Sequence, residues 1–223
     1  MTQQTTQNLS THYSAHIEEL QSRTKNALLK SNSADLIVIH AGMPNIVFLD
    51  DYPYPFKVNP HFKAWLPILD SPNCWLIVNG IDKPKLFYFQ PIDFWHKVIP
   101  LGEHYWNEFF DIDIVNTKSD LNKMLKSYLC NSICISEHVE FVTEMGFSKV
   151  NESSAIDYFH YHRAYKTDYE FECLRRSNAI AVKGHVAAKN AFYDGQSEYD
   201  IYMAYLSASN RQKVKRLMGA SLR

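Results

Sequence analysis

The sequence predicts an α/β fold with a mixed sheet, on three observations. Short apolar runs rich in β-branched residues recur through residues 1–150, each bounded by turn formers. Stretches with apolar residues at helical spacing stand between them, and this alternation is the pattern of strands layered against helices. With 46% hydrophobic and 21% charged residues, the 223-residue chain has the composition to bury a core rather than stay disordered.

The elements follow in order. Leu9, Tyr13, Ile17, Leu20, Thr24, Ala27 and Leu28 recur every three or four positions and predict an amphipathic first helix. DLIVIH (Asp35 to His40) reads as a buried strand, and CWLIVNGIDKPKLFYF places two strand-like runs around Asn79-Gly80, which predicts a hairpin. DIDIV (Asp111 to Val115) alternates as a strand does. After it come a helix near Leu121 to Leu129, a strand at Ile133 to Ile135, a short helix ending at Gly146 and a helix over Ser153 to Tyr161. Thr167 with Glu170 forms a capping box, so another helix starts there. Leu174, Ile180, Ala181, Ala187, Ala188 and Phe192 would form its apolar side and Gly195 its stop. Ser197 then opens a last helix through about Leu206.

Several function classes are excluded at this level. The formal net charge of -1 offers no overall attraction to nucleic acid or an anionic membrane. No apolar run approaches the roughly 20 residues of a membrane span, and the polar start MTQQTTQNLSTHYS is unlike a signal peptide. Cys74, Cys130, Cys134 and Cys173 show no CxxC spacing, and Cys134 lies in the strand-like SICIS, so reduced thiols in a cytoplasmic protein are expected. The glycines form neither GxGxxG nor GxxxxGK[ST], and no GxSxG elbow or HExxH helix is present.

Three candidate clusters remain. His160 and His162 would share a face on a strand, but on the expected helix they point to opposite sides and read as packed or surface histidines. DFWHK (Asp93 to Lys97) reads as a structural aromatic cluster before it reads as a pocket wall. FLDDYPYPFKVNPHFKAWLP (Phe48 to Pro67) joins the carboxylates Asp50 and Asp51 to a Pro-aromatic run. Neighbouring residues of an extended loop diverge, so at most one of the two acids serves any one site. Residues 1–150 thus hold no assembled catalytic constellation and no metal ligand set.

FLDDYPYPFKVNPHFKAWLP, NCWLIVNGIDKPKLFYFQPIDFWHKV and YHRAYKTDYEFECLRRSNAIAVKGHVAAKNAFYDGQSEYDI together resemble the first half of a bacterial Xaa-Pro dipeptidase, or prolidase. The branch resembled includes the organophosphorus acid anhydrolases, and the resemblance runs from about Thr11 to Ala208. It implies an N-terminal α/β domain of creatinase/prolidase type over residues 1–161. A linker and the first two helices of an incomplete pita-bread domain would follow over residues 162–208. The basic segment 209–223, SNRQKVKRLMGASLR from Ser209, departs from the family, as a truncated or frameshifted gene would. Arg211, Lys213, Lys215, Arg216 and Arg223 carry no interleaved aromatics, so a solvated end is expected there rather than a nucleic-acid site.

The resemblance further implies a cytoplasmic homodimer that cleaves dipeptides ending in proline with two divalent cations, typically manganese. The family's ligands, two Asp, one His and two Glu, fall downstream of Ala208, so no cofactor site and no catalytic residue is expected within these 223 residues. The loop carrying LDDYPYP is expected to reach the partner's active site, where Asp51 would help shape the substrate pocket. The expectation is therefore an Xaa-Pro dipeptidase portion that is inactive alone. The other function class that fits is a non-catalytic dimerisation or interaction module. No nucleic acid and no membrane is expected as a partner.

Overall fold

The structure, a computed structural model, describes residues 3–92, 94 and 100–209. They divide into two compact units, the first ending at Thr167 and the second beginning at Asp168. The first unit contains α1 (Gln3–Ser31), β1 (Leu36–His40), α2 (Pro60–Trp65), β2 (Trp75–Val78), β3 (Lys85–Phe89) and β4 (Asp111–Val115). It continues with α3 (Lys118–Leu125), β5 (Ser132–Ile135), α4 (Val139–Glu144) and α5 (Ser153–His162). The second unit contains α6 (Asp168–Tyr193) and α7 (Glu198–Ala208).

The five strands form one mixed sheet in the order β4-β3-β2-β1-β5. β1 pairs antiparallel with β2 and parallel with β5, while β3 pairs antiparallel with β2 and parallel with β4. Burial explains the compositions. Ile37, Val38 and Ile39 of β1 and every residue of β2 and β5 are buried, which requires the continuous apolar runs WLIV and SICI rather than alternation. At the β4 edge, Asp111 and Asp113 sit two residues apart and share Lys85 of β3, at 2.8 and 2.9 Å. Charged side chains of this kind blunt an open sheet edge.

The predicted hairpin is β2–β3, but its connection runs from Asn79 to Pro84 instead of closing in two residues. The Asn79 side chain organises it: Oδ1 accepts from the amides of Ile81 and Asp82 (3.0 and 2.8 Å), and Nδ2 donates to Asp82 Oδ2. Gly80, at φ +78°, lies directly against the backbone of Lys25 on α1. Helix α1 buries Tyr13, Ile17, Leu20, Thr24, Ala27 and Leu28, the stripe read from the sequence, and packs along α5.

The segment read as an extended Pro-aromatic loop contains a helix. Pro60 occupies the first turn of α2, where its missing amide proton costs nothing, and Asn59 Oδ1 caps the turn by accepting from His61 N at 2.9 Å. Phe62 and Trp65 point from α2 into the core. In the second unit, Ser197 N-caps α7, and Gly184 lets the Tyr205 ring approach α6. The buried side of α6 is Tyr169, Gly184 and Ala191, whereas Leu174, Ile180 and Phe192 of the expected apolar side are exposed.

Candidate functional site

The chain leaves β1 through Ala41, Gly42 and Met43, makes an exposed excursion, and returns at Asn59. The excursion is a tight ladder: Val47 N donates to Tyr52 O (2.9 Å), Tyr54 N to Asn45 O (2.8 Å), and Ile46 bridges Pro53. Its tip turns through Asp50 N to Val47 O (3.0 Å), with Leu49 in the left-handed region at φ +61°. Phe48 and Leu49 are 86% and 91% exposed, and Ile46, Tyr52 and Tyr54 are exposed beside them.

The two carboxylates have different tasks. Asp50 Oδ1 accepts the amide of Asp51 at 2.8 Å, so Asp50 is part of the turn. Asp51 stands exposed beside it, presented to whatever meets the tip.

The base of the excursion is clamped by buried polar groups at the carboxyl ends of the parallel strands β1 and β5. Asn59, 2% exposed, donates from Nδ2 to His40 O (3.0 Å) and Ile135 O (3.5 Å), joining both strand ends to the start of α2. His40 is fully buried, stacked on Trp75 at 4.3 Å, and its Nδ1 lies 3.1 Å from Ser136 Oγ. Ser136 Oγ also accepts from His138 N, so this hydroxyl joins the His40 ring to the start of α4. Met43 N donates to His138 Nε2 at 3.2 Å. Asn151 closes the network, accepting from Ser136 N and donating to Ser136 O. Burial, then the neighbouring His138, pushes the His40 pKa down to about 3, so the ring is neutral at physiological pH. The sequence reading placed His40 in a strand and assigned it no role; its position at the end of an otherwise apolar run was the available signal.

Asn59→Ala is expected to cost about 2 kcal/mol, since it removes a helix cap and the two bonds that Nδ2 makes to buried carbonyls. The urea midpoint of the variant checks this; a change below about 0.5 kcal/mol would remove Asn59 from the clamp.

The other candidates are not assembled into a site. On α5, His160 stacks on His61 and His162 on Tyr158, so the two histidines face separate neighbours. Burial, with Arg163 and His160 nearby, pushes the His61 pKa down to about 4. Cys74 and Cys134 are buried, and burial pushes both thiols up to about 12, which makes them poor nucleophiles. Of the DFWHK cluster, Asp93 and residues 95–97 lie outside the described residues. Among the described residues no group of three or more His, Cys, Asp or Glu could hold a metal ion. No described helix is long and apolar enough to cross a membrane.

The fold is shared with solved aminopeptidase P structures. An alanine variant of Escherichia coli aminopeptidase P superposes with a TM-score of 0.61 at 18% identity, over 87% of this chain and 50% of that one. A second variant, solved in complex with substrate, gives the same TM-score and coverage. The particular family is defined by sequence: residues 11–161 match the model of the Xaa-Pro dipeptidase N-terminal domain, and the chain belongs to that family. It is 54% identical over 200 residues to the Xaa-Pro dipeptidase of Colwellia psychrerythraea and 50% identical to that of Shewanella baltica. In each case the match takes in 90% of this chain but 45% of the relative, so the chain spans less than half the length of these proteins.

Proposed function

We propose that these 223 residues form the N-terminal part of an Xaa-Pro dipeptidase, a metallopeptidase that hydrolyses dipeptides ending in proline. Residues 1–161 would be its α/β domain, residues 162–208 a linker with the first two helices of the pita-bread domain, and residues 209–223 a basic segment unrelated to it. The parent enzyme would be a cytoplasmic homodimer using two divalent cations, manganese by family resemblance. The described residues do not supply a centre for such ions, so no step of hydrolysis is assigned to them. Their contribution is recognition. The carrying observation is the ordered excursion between β1 and α2, which holds Asp51 exposed at its tip while Asp50 is consumed by the turn. A preset loop loses little entropy when it meets a ligand or a partner, and its exposed Ile46, Phe48, Leu49 and Tyr54 suit a subunit contact.

The test is reconstitution. The 223-residue polypeptide alone should show no manganese-dependent cleavage of an Xaa-Pro dipeptide. Mixing it with the separately expressed C-terminal remainder of the Colwellia relative should restore turnover. In that mixture Asp51→Ala should raise KM roughly tenfold with metal content unchanged, the signature of lost substrate recognition. Manganese-dependent hydrolysis by the 223 residues alone would refute the reading.

A further inference from the structure

Two buried polar side chains of α1 reach residues that close the first unit. His16 is fully buried, with Nε2 2.8 Å from Ala64 O and Nδ1 2.8 Å from Thr167 Oγ1. A carbonyl can only accept, so Nε2 donates to Ala64 O, while Nδ1 on the other side of the ring is bonded to the Thr167 hydroxyl. Ala64 lies in the last turn of α2, where carbonyls have no intrahelical partner. Two turns along α1, Arg23 is 5% exposed; its Nε donates to Glu19 Oε1 at 2.7 Å and its Nη2 to Tyr165 O at 3.0 Å. Tyr165 and Thr167 lie 142 and 151 residues from their partners on α1. Leading up to Thr167, the amides of Arg163, Ala164 and Tyr165 wind off the end of α5 onto Phe159, Tyr161 and His162.

We propose that His16 and Arg23 are positioning residues that fasten residues 163–167 to α1, so that this segment is held as the closing part of the α/β unit. The arrangement has the economy of one imidazole satisfying both an orphan helix-end carbonyl and the hydroxyl of the last residue of the unit. Buried groups that lose such a partner carry the full cost of desolvation, so the fastening is local and strong. It does not depend on the enzymatic reading.

Amide hydrogen exchange on the full chain tests the proposal. In wild type, the amides of residues 163–165, which bond to Phe159, Tyr161 and His162, should be protected, and His16→Ala should lower that protection roughly tenfold or more while the β2–β3 hairpin keeps its own. Thr167→Val should reproduce the loss and Thr167→Ser should restore protection. If His16→Ala does not fold, the Thr167 pair carries the test by itself. In the double variant, the effects of His16→Ala and Thr167→Val on that protection should sum to less than the two single losses, because the bond between the two side chains is lost in either single variant. Three outcomes overturn the proposal: unprotected 163–165 amides in wild type, equal loss of protection across the sheet, or fully additive effects of the two substitutions.

Discussion

Gly80→Ala should destabilise the α/β unit by about 3 kcal/mol or more, the largest effect of any substitution considered. A Cβ at this position would lie 2.5 Å from Lys25 N and 2.7 Å from Lys25 Cα and Cβ. The obstacle is mostly helix backbone, so no rotamer change relieves it; α1 or the β2–β3 connection must move. The φ of +78° adds a conformational cost that an L-residue with a Cβ pays and glycine does not. Gly80→Asn separates the two terms. Asparagine tolerates positive φ better than alanine but brings the same Cβ, so it should recover only a small part of the loss. Urea unfolding at neutral pH measures both variants. Full recovery with asparagine would show that the contact with Lys25 is slack.

Acidification should unfold the unit in a range where most carboxylates are still ionised. His40 and His61 have folded-state pKa values of about 3 and about 4, each below the ordinary 6.5. The folded state therefore binds fewer protons than the unfolded chain. Stability is flat above the unfolded value and falls as pH drops from about 6.5 towards 4 for His61 and towards 3 for His40. Between pH 8 and pH 5, His40 alone should contribute a loss of about 2 kcal/mol, and the less deeply buried His61 somewhat less. His40→Gln removes the titrating ring, so its stability should fall about 2 kcal/mol less over the same interval, even if its stability at pH 8 is lower. An unchanged pH dependence in that variant would mean that His40 does not take up the proton.

The strands were legible because their surroundings are uniform. Residues 37–40, Trp75–Val78 and Ser132–Ile135 are buried throughout, and a strand buried on both faces is largely apolar without alternation. The stripe of α1 was legible for the corresponding reason at helical period. Helix α2 was not, because Pro60 reads as a breaker unless Asn59 is known to be the cap that makes it a first-turn residue. The span of the β2–β3 connection was hidden similarly: Asn79-Gly80 signals a two-residue turn, but Asn79 spends its side chain organising a longer one. At the candidate site, the sequence showed the paired acids Asp50 and Asp51 but not the turn in which Asp50 accepts the amide of Asp51. The His40, Ser136 and Asn151 network was not legible either, since its members are far apart in sequence and only the parallel pairing of β1 with β5 brings them together.

That pairing also sets an order of events during synthesis. β1 is made early, its antiparallel neighbour β2 follows after the excursion, and its parallel neighbour β5 comes only after β3, β4 and α3. Until Ser132–Ile135 has left the ribosome, one side of the LIVIH strand has no hydrogen-bonding partner, and the nascent chain carries an apolar edge open to other chains. Nascent chains arrested before Ser132 should therefore bind chaperones and aggregate, and those released after Asn151, which completes the network beside β5, should acquire protease resistance in a single step.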